Sequence, residues 1–489
     1  MPASLFMTKT LLCFVNRCSV ILHKRGCCGV PNLFRGDHPR SIWKKSALFL
    51  SIALTIAMVG CTPGTTAPSS ATAPSSVDAS KEPEQSADSQ KPSPASREYS
   101  ITFYWGPEYK DFTAAEVTRM KEAGFDVATI YNFPWGDMSD GEVHYEHLHE
   151  CVTLLGQQGL NASVNDGRLT QVLTPTATRE EIEKAVKRIA EAWKGYDNVT
   201  EFYLADEPSA NLFPTLKIAV ELMREYFPQC TTYINLLPNY ATPQMWGTAT
   251  YEEYVELFAS TVGPDYLCTD YYAFLTSGRR DGYAANLETL KNASRKYGLE
   301  TRLILLCSEH LNAYKNVSRE EIAWQANLAL LYGMKQLSWY TYAHPVGDPS
   351  SKNEMIDIQG NATRHYEEIQ AENAINRVLG SALYQTDVQQ VFYIGTPVPG
   401  LTPYQSYGAL GEIAAGSDML VSFYEDPDIF FLMSQYSDGE EQSQVKSALI
   451  PSLQWLNPAT AKWEDASACP YVKGDTVTLS AGQAVLFRR

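Results

Sequence analysis

The sequence predicts an α/β fold: a (β/α)8 barrel of the TIM type, followed by a small C-terminal antiparallel β-sandwich. Three observations predict it. From Ser100 onward, short β-branched or aromatic runs alternate with longer stretches of helical period. The loops that follow the runs are long and rich in polar residues, whereas the turns leading back into them are short and marked by glycine. At Gln385 this alternation gives way to strand-like segments alone.

Eight strands are expected to begin near Ile101, Asp126, Asn161, Val199, Cys230, Asp265, Thr301 and Gln336. Their starts lie roughly 25 to 38 residues apart, which suits one strand plus one crossover helix. Between them, "TAAEVTRMKEAGF", "TREEIEKAVKRIAEAWKGYD", "NLFPTLKIAVELMREYF" and "SREEIAWQANLALLYGMK" repeat apolar residues at three and four. Thr178 and Ser318 are each followed three residues later by a glutamate, Glu181 and Glu321, the pattern of a capping box. Gly124, Gly159, Gly195, Gly263, Gly298 and Gly333 sit where left-handed helix ends are needed. A doubly wound open sheet is the competing arrangement, but no glycine-rich phosphate loop follows the first strand.

Residues 98–384 are therefore expected to form the barrel, closed by a helix over about Ala362 to Tyr384. Residues 385–489 contain "QQVFYIG", "DMLVSFYE", "DIFFLMSQYS", "ALIPSLQWLN" and "DTVTLSAGQAVLF", with a polar hairpin turn at Glu425-Asp426-Pro427-Asp428. These segments are expected to form the sandwich, packed beside the barrel as a buttress.

Ahead of the barrel, "WKKSALFLSIALTIAMVGC" reads as an export signal: two lysines, an apolar run too short to span a bilayer comfortably, then small residues before Cys61. Residues 1–60 form this extended leader. Residues 61–97 are rich in Ser, Thr, Pro and Ala and hold too little apolar surface to fold, so they read as a disordered tether. The ending Met58-Val59-Gly60-Cys61 resembles a bacterial lipoprotein cleavage box, which implies diacylation of Cys61 and an extracytoplasmic, membrane-anchored protein.

The formal net charge is −17, and residues 1–60 carry eight Lys or Arg against one acid, leaving −24 on the remainder. An acidic body without a basic stripe disfavours nucleic acid and anionic lipid as partners and suits a neutral, hydroxyl-rich substrate. Of ten cysteines, Cys151, Cys230, Cys268, Cys307 and Cys469 follow the tether without CxxC or metal-type spacing and read as small buried residues. His310 and His344 lack ligand spacing with Asp166, so neither metal nor organic cofactor is implied.

Barrel closure places all strand-to-helix loops on one face, where such enzymes carry their sites. "EFYLADEPSA" ends the fourth strand on Asp206 and Glu207, and "TRLILLCSEH" ends the seventh on Glu309. Two carboxyl groups facing across one cleft are what glycosidic cleavage requires, one to protonate the leaving oxygen and one to attack or stabilise the anomeric carbon. Asn132, Asp166 and Asn235 end other strands and are candidate hydroxyl binders, and the loop residues Trp135 and Trp246 are candidate sugar platforms.

With glutamates at these two ordinals, residues 100–384 resemble clan A of the retaining glycoside hydrolases, which includes β-galactosidase, cellulase and β-xylanase families. The resemblance implies that Glu207 is the acid/base and Glu309 the nucleophile. It further implies that Tyr271 or Tyr272, in "CTDYYAF", donates a hydrogen bond to Glu309. Trp339, in "LSWYTYAHP", would then form the aromatic floor of the subsite beside the scissile bond. One departure is clear: many clan members carry Asn before the acid/base, and here Asp206 stands there, adding a negative charge beside Glu207. The sugar is therefore not transferable from a named family. The expected function is an exported retaining glycosidase acting on oligo- or polysaccharides; the alternative is a non-catalytic carbohydrate-binding lipoprotein on the same fold.

Overall fold

The computed structural model describes residues 98–131, 145–345 and 348–489. The leader, the tether with Cys61, and the site candidates Asn132 and Trp135 lie outside the described residues.

Eight parallel strands close into a barrel: β1 (Ser100–Phe103), β2 (Val127–Tyr131), β3 (Asn161–Asn165), β4 (Val199–Asp206), β5 (Thr231–Leu236), β6 (Tyr266–Asp270), β7 (Glu300–Leu306) and β8 (Gln336–Tyr340). Each strand pairs with its sequence neighbours, and β1 pairs with β8 to close the ring. Every strand starts within one residue of its expected position. The long helices are α1 (Ala114–Glu122), α2 (Tyr145–Gln157), α3 (Arg179–Ala192), α4 (Phe213–Tyr226), α5 (Tyr251–Val262), α6 (Tyr283–Tyr297), α7 (Arg319–Leu331) and α8 (Arg364–Leu383).

Local chemistry sets the helix ends. The capping boxes form at Thr178 with Glu181 and at Ser318 with Glu321, and a third forms at Thr250 with Glu253. Each serves two backbone N–H groups that have no partner inside the helix. Gly263 and Gly298 end α5 and α6 in the left-handed region, at φ +61° in both cases, where a side chain would cost energy.

Strand alternation divides the barrel into two environments. Outward residues such as Leu303, Leu305, Leu337 and Trp339 pack under the helices in the main core. Inward residues form a second cluster dominated by tyrosine: Tyr104, Tyr203, Tyr233, Tyr266 and Tyr340, with Cys268, Ile304 and Leu306. On the floor of this interior, the Arg302 guanidinium binds Glu201 through two bonds of 3.0 and 2.7 Å and lies over the Tyr233 and Tyr266 rings. Gln336 and the Tyr266 hydroxyl complete the set. A charged pair at 2–3% exposure persists because both Glu201 oxygens accept from Arg302 and Gln336 Oε1 accepts from its Nε and Nη2.

Residues after Tyr384 form two sheets. One has seven strands, in the order Thr402–Pro403, Val388–Ile394, Met419–Tyr424, Ile429–Ser434, Ala484–Arg488, Gln454–Asn457, Lys462–Asp465. The other has four: Ala415–Ser417, Gln442–Lys446, Thr476–Ser480, Val472–Lys473. Pairing is antiparallel except between Thr402–Pro403 and Val388–Ile394. Val445, Val477 and Leu479 of the smaller sheet share a core with Phe423, Phe430 and Phe487 of the larger. The opposite face of the larger sheet, with Leu420, Phe431 and Leu486, joins the barrel core. Helix α7 is buried nearly all round because barrel and sheet cover it from both sides, and Tyr424 Oη donates to Leu330 O at 2.8 Å.

Candidate functional site

The site begins with an irregularity in β4. Its register against β5 slips between Tyr203 and Ala205, so Leu204 is an extra residue, and Asp206 comes opposite Asn235. Without that bulge, alternation from inward Tyr203 would carry Asp206 out of the interior; with it, the carboxylate turns inward. Glu207 then adopts φ +46°, with its N–H donating to Asn235 O at 2.8 Å. A non-glycine residue in this region is strained by about 1–2 kcal/mol, a cost found mostly where position matters for function.

Asn235 lies at the centre of a carboxylate cluster. Its Nδ2 donates to Asp206 Oδ1 and to Asp270 Oδ1, both at 3.0 Å, while its Oδ1 receives the Cys268 thiol at 3.7 Å. Tyr104 and Tyr203, whose hydroxyls are 2.9 Å apart, also bond to Asp206. Tyr240 Oη donates to Asp270 Oδ2 at 3.4 Å. Tyr272, Tyr314 and Tyr340 stand beside this cluster, with ring centroids 5.5 and 5.8 Å from Tyr272. His310 meets Tyr340 edge to face and pairs with Asp348 at 2.9 Å.

The electrostatic result is a group of acids that resist ionisation. Burial is the first cause at all three. It pushes Asp270 up to about 7, with donation from Asn235 opposing and the charge of Asp206 adding to the rise. It raises Asp206 against the bonds from Asn235, Tyr104 and Tyr203. At Glu207 it is reinforced by Asp270 and Asp206, and the carboxyl is held well above the usual carboxylate range. Asp206 and Glu207 are exposed, so water screens part of their rise; Asp270 is buried.

The structure places the remaining candidates as follows. Glu309 lies three residues beyond the end of β7, half-buried. Its backbone is paired with Lys352, and its Oε1 accepts from Asn353 Nδ2 at 2.6 Å. Neither Tyr271 nor Tyr272 bonds to Glu309, so the expected tyrosine donor is replaced by Asn353. Tyr271 points outward into the main core and packs on Tyr240, which corrects its placement among substrate contacts; Tyr272 faces inward. Trp339 is also corrected: it is fully buried under the helices, with Nε1 donating to Asn373 Oδ1 on α8 at 2.8 Å. The inward aromatic residue of β8 is Tyr340, one position later. Asp166 is corrected in turn. It caps the short helix Gly167–Thr170, pairs with Arg168 and accepts from Trp193 Nε1 at 2.9 Å, which occupies its carboxylate in structural bonds. Trp246 is buried, with Nε1 donating to Pro238 O.

Asp270, Tyr240, Tyr314 and Tyr340 belong to the site and were not singled out from the sequence. Asp270 carried a readable signal, since it ends β6 just as Asp206 ends β4. His344 pairs with Glu354 at 2.8 Å, and among the described residues no group of three or more His, Cys, Asp or Glu is arranged to hold a metal.

No protein-family model matches the chain, and no curated protein matches it. Solved structures do. A family 5 glycoside hydrolase from Bacteroides vulgatus ATCC 8482 aligns over 80% of this chain and 89% of its own, with TM-score 0.50 and 10% identity. A family 39 glycoside hydrolase from the gut symbiont Bacteroides cellulosilyticus WH2 aligns over 80% and 81%, with TM-score 0.47 and 14% identity. The β-galactosidase from the psychrophilic Marinomonas ef1 aligns over 59% of this chain, which spans 62% of that enzyme, with TM-score 0.44 and 11% identity. At these identities the likeness is one of fold.

Proposed function

We propose that this protein is a glycoside hydrolase in which Glu207 is the proton donor. The observation that carries the reading is the setting of Glu207: a carboxyl just past the end of β4, at one end of a tyrosine-lined barrel, shifted upward by burial and by the neighbouring Asp270 and Asp206. A glycosidic oxygen leaves only when it is protonated, and the donor must still hold its proton at working pH. Tyrosine rings and amide or carboxyl groups together suit a sugar, whose faces are apolar and whose rim is hydroxylated.

In the retaining form of this reading, the Glu309 carboxylate attacks the anomeric carbon as Glu207 gives its proton to the departing oxygen. Water then attacks the glycosyl-enzyme ester, and Glu207 takes back a proton. The bond from Asn353 orients Glu309 for that role. A second reading assigns the role to Asp270. Its supporting observation is that Asp270 ends β6 within the cluster held by Asn235 and that its charge helps to raise Glu207.

The test is turnover of a panel of nitrophenyl glycosides and polysaccharides, with the anomeric form of the product followed by NMR. Glu207→Gln should lower kcat on unactivated substrates by at least about 10³-fold while the ligand still binds. Glu309→Gln and Asp270→Asn separate the two nucleophile assignments, since azide restores turnover only where the missing carboxylate was the attacking group. Binding of glycans by wild type without any turnover would support the non-catalytic carbohydrate-binding alternative instead. Export with a lipid at Cys61 is part of the same proposal, and incorporation of labelled palmitate that is lost in Cys61→Ser tests it.

A further inference from the structure

Between β6 and α6 the chain makes a short rim hairpin, Phe274–Leu275 with Gly278–Arg279, and then Arg280 turns back toward the site. Its guanidinium lies 3.9 Å from the centroid of Tyr240, the residue that bonds Asp270. Nε donates to Tyr272 O at 3.2 Å, and Nη2 donates to Tyr314 Oη at 3.3 Å. These bonds fix the plane of the group and leave Nη1 without a partner among the described residues.

Arg280 is half-buried and forms no ion pair among the described residues, although Asp281 follows it and the Tyr240 beneath it bonds Asp270. Its neighbour Arg279 shows what a purely structural arginine on this hairpin does. Nη1 of Arg279 reaches away from the site to Gln435 O and Ser437 Oγ, and its guanidinium lies over Trp324. Arg280 braces the rim with two of its five N–H donors and holds the rest beside Tyr240 and Tyr314. A half-buried cation with idle, coplanar N–H groups matches an anionic oxygen pair better than it matches hydroxyls.

We infer that Arg280 recognises an anionic substituent on the sugar, a uronate carboxylate or a sulfate ester, so that the glycan acted on is acidic. The sugar part of this inference rests on the glycosidase reading; the anion part rests on Arg280 alone. The acidic formal charge of the chain argues the other way only if the mouth itself is fully ionised. With Asp206, Glu207 and Asp270 all shifted toward their neutral forms, repulsion of an anionic ring is smaller than the count of carboxylates suggests.

The experiment uses matched pairs: nitrophenyl glucuronide with glucoside, galacturonide with galactoside, and a 6-sulfated N-acetylglucosaminide with its unsulfated parent. Turnover is measured for wild type, Arg280→Gln and Arg280→Lys. Binding of glucuronate, galacturonate and the sulfated sugar, and of their neutral parents, is measured by calorimetry on the Glu207→Gln protein with and without the Arg280 changes. The expected result is that one acidic member exceeds its neutral parent by about 10- to 100-fold, that Arg280→Gln removes the preference, and that Arg280→Lys restores part of it. Preference for the uronosides assigns a carboxylate, and preference for the sulfated sugar assigns a sulfate. Turnover confined to neutral sugars, or an acidic preference untouched by Arg280→Gln, overturns the inference while the glycosidase reading stands. Arg280-dependent binding of acidic sugars with no turnover supports the inference and overturns the glycosidase reading. Absence of both binding and turnover for every acidic member overturns the inference.

Discussion

Replacing Asp270 by asparagine should stabilise the protein at alkaline pH and change it little in acid. In the folded chain burial holds this carboxyl at about 7, against 3.8 for the free group. Below about pH 3.8 both folded and unfolded states are protonated, and the group contributes nothing to stability. As pH rises through the interval, the folded state holds its proton longer and stability falls. Above about 7 the whole penalty is in place. A gap of roughly three pKa units at about 1.4 kcal/mol each gives about 4 kcal/mol as an upper limit, because Asp206 and Glu207 titrate with Asp270 and share the effect. Asparagine keeps the shape, carries no charge, and offers Oδ1 to Asn235 Nδ2 in place of the carboxylate oxygen. Urea unfolding at pH 4.5 and 8.5 measures the difference. The expected gain is about 2–4 kcal/mol at pH 8.5 and on the order of 1 kcal/mol at pH 4.5. Equal stability changes at the two pH values, or destabilisation at pH 8.5, would refute the placement of Asp270 as a strained, buried acid.

Three further outcomes follow from the same geometry. The kcat/KM profile should keep its alkaline limb above the range of an ordinary glutamate, because activity is lost only as Glu207 gives up a proton that its surroundings retain; a limb near pH 4.5 would contradict the assignment. Trp339→Phe should cost about 1–2 kcal/mol in unfolding free energy through loss of the bond to Asn373 and leave KM unchanged, whereas a raised KM with unchanged stability would return Trp339 to the substrate. Arg302→Met should destabilise by about 3–5 kcal/mol, since Glu201 would be left charged on a dry floor, and adding Glu201→Leu to it should recover part of the loss, as a thermal or urea double-mutant cycle would show.

Much of the barrel was legible in the sequence because its signals are local. Capping boxes at Thr178 and Ser318, left-handed glycines at Gly263 and Gly298, and β-branched runs each act over a few residues, so a one-dimensional reading finds them. The final segment "DTVTLSAGQAVLF" shows the limit. It reads as one strand-rich stretch, yet Thr476–Ser480 and Ala484–Arg488 belong to different sheets. Site residues depend on which way a strand faces, and one step decides it. Trp339 and Tyr340 are adjacent aromatics on β8, and only register against β7 and β1 tells which of them faces the interior. The extra residue in β4 leaves no mark in "EFYLADEP", because a bulge is set by pairing with β5 rather than by composition. Asp166 misled for a related reason: a strand-end aspartate serves equally well as a helix cap, and the neighbouring Arg168 and Trp193 chose that use.

Arg279 and Arg280 are consecutive, yet one is fastened to the C-terminal sheets and the other to the tyrosines of the barrel mouth. The last hundred residues thus act as a splint for a hairpin that belongs to the barrel. Trimming the chain after Tyr384 would strip the barrel core and α7 of Leu420, Phe431 and Leu486 as well as freeing this hairpin, so the barrel would lose stability together with its rim.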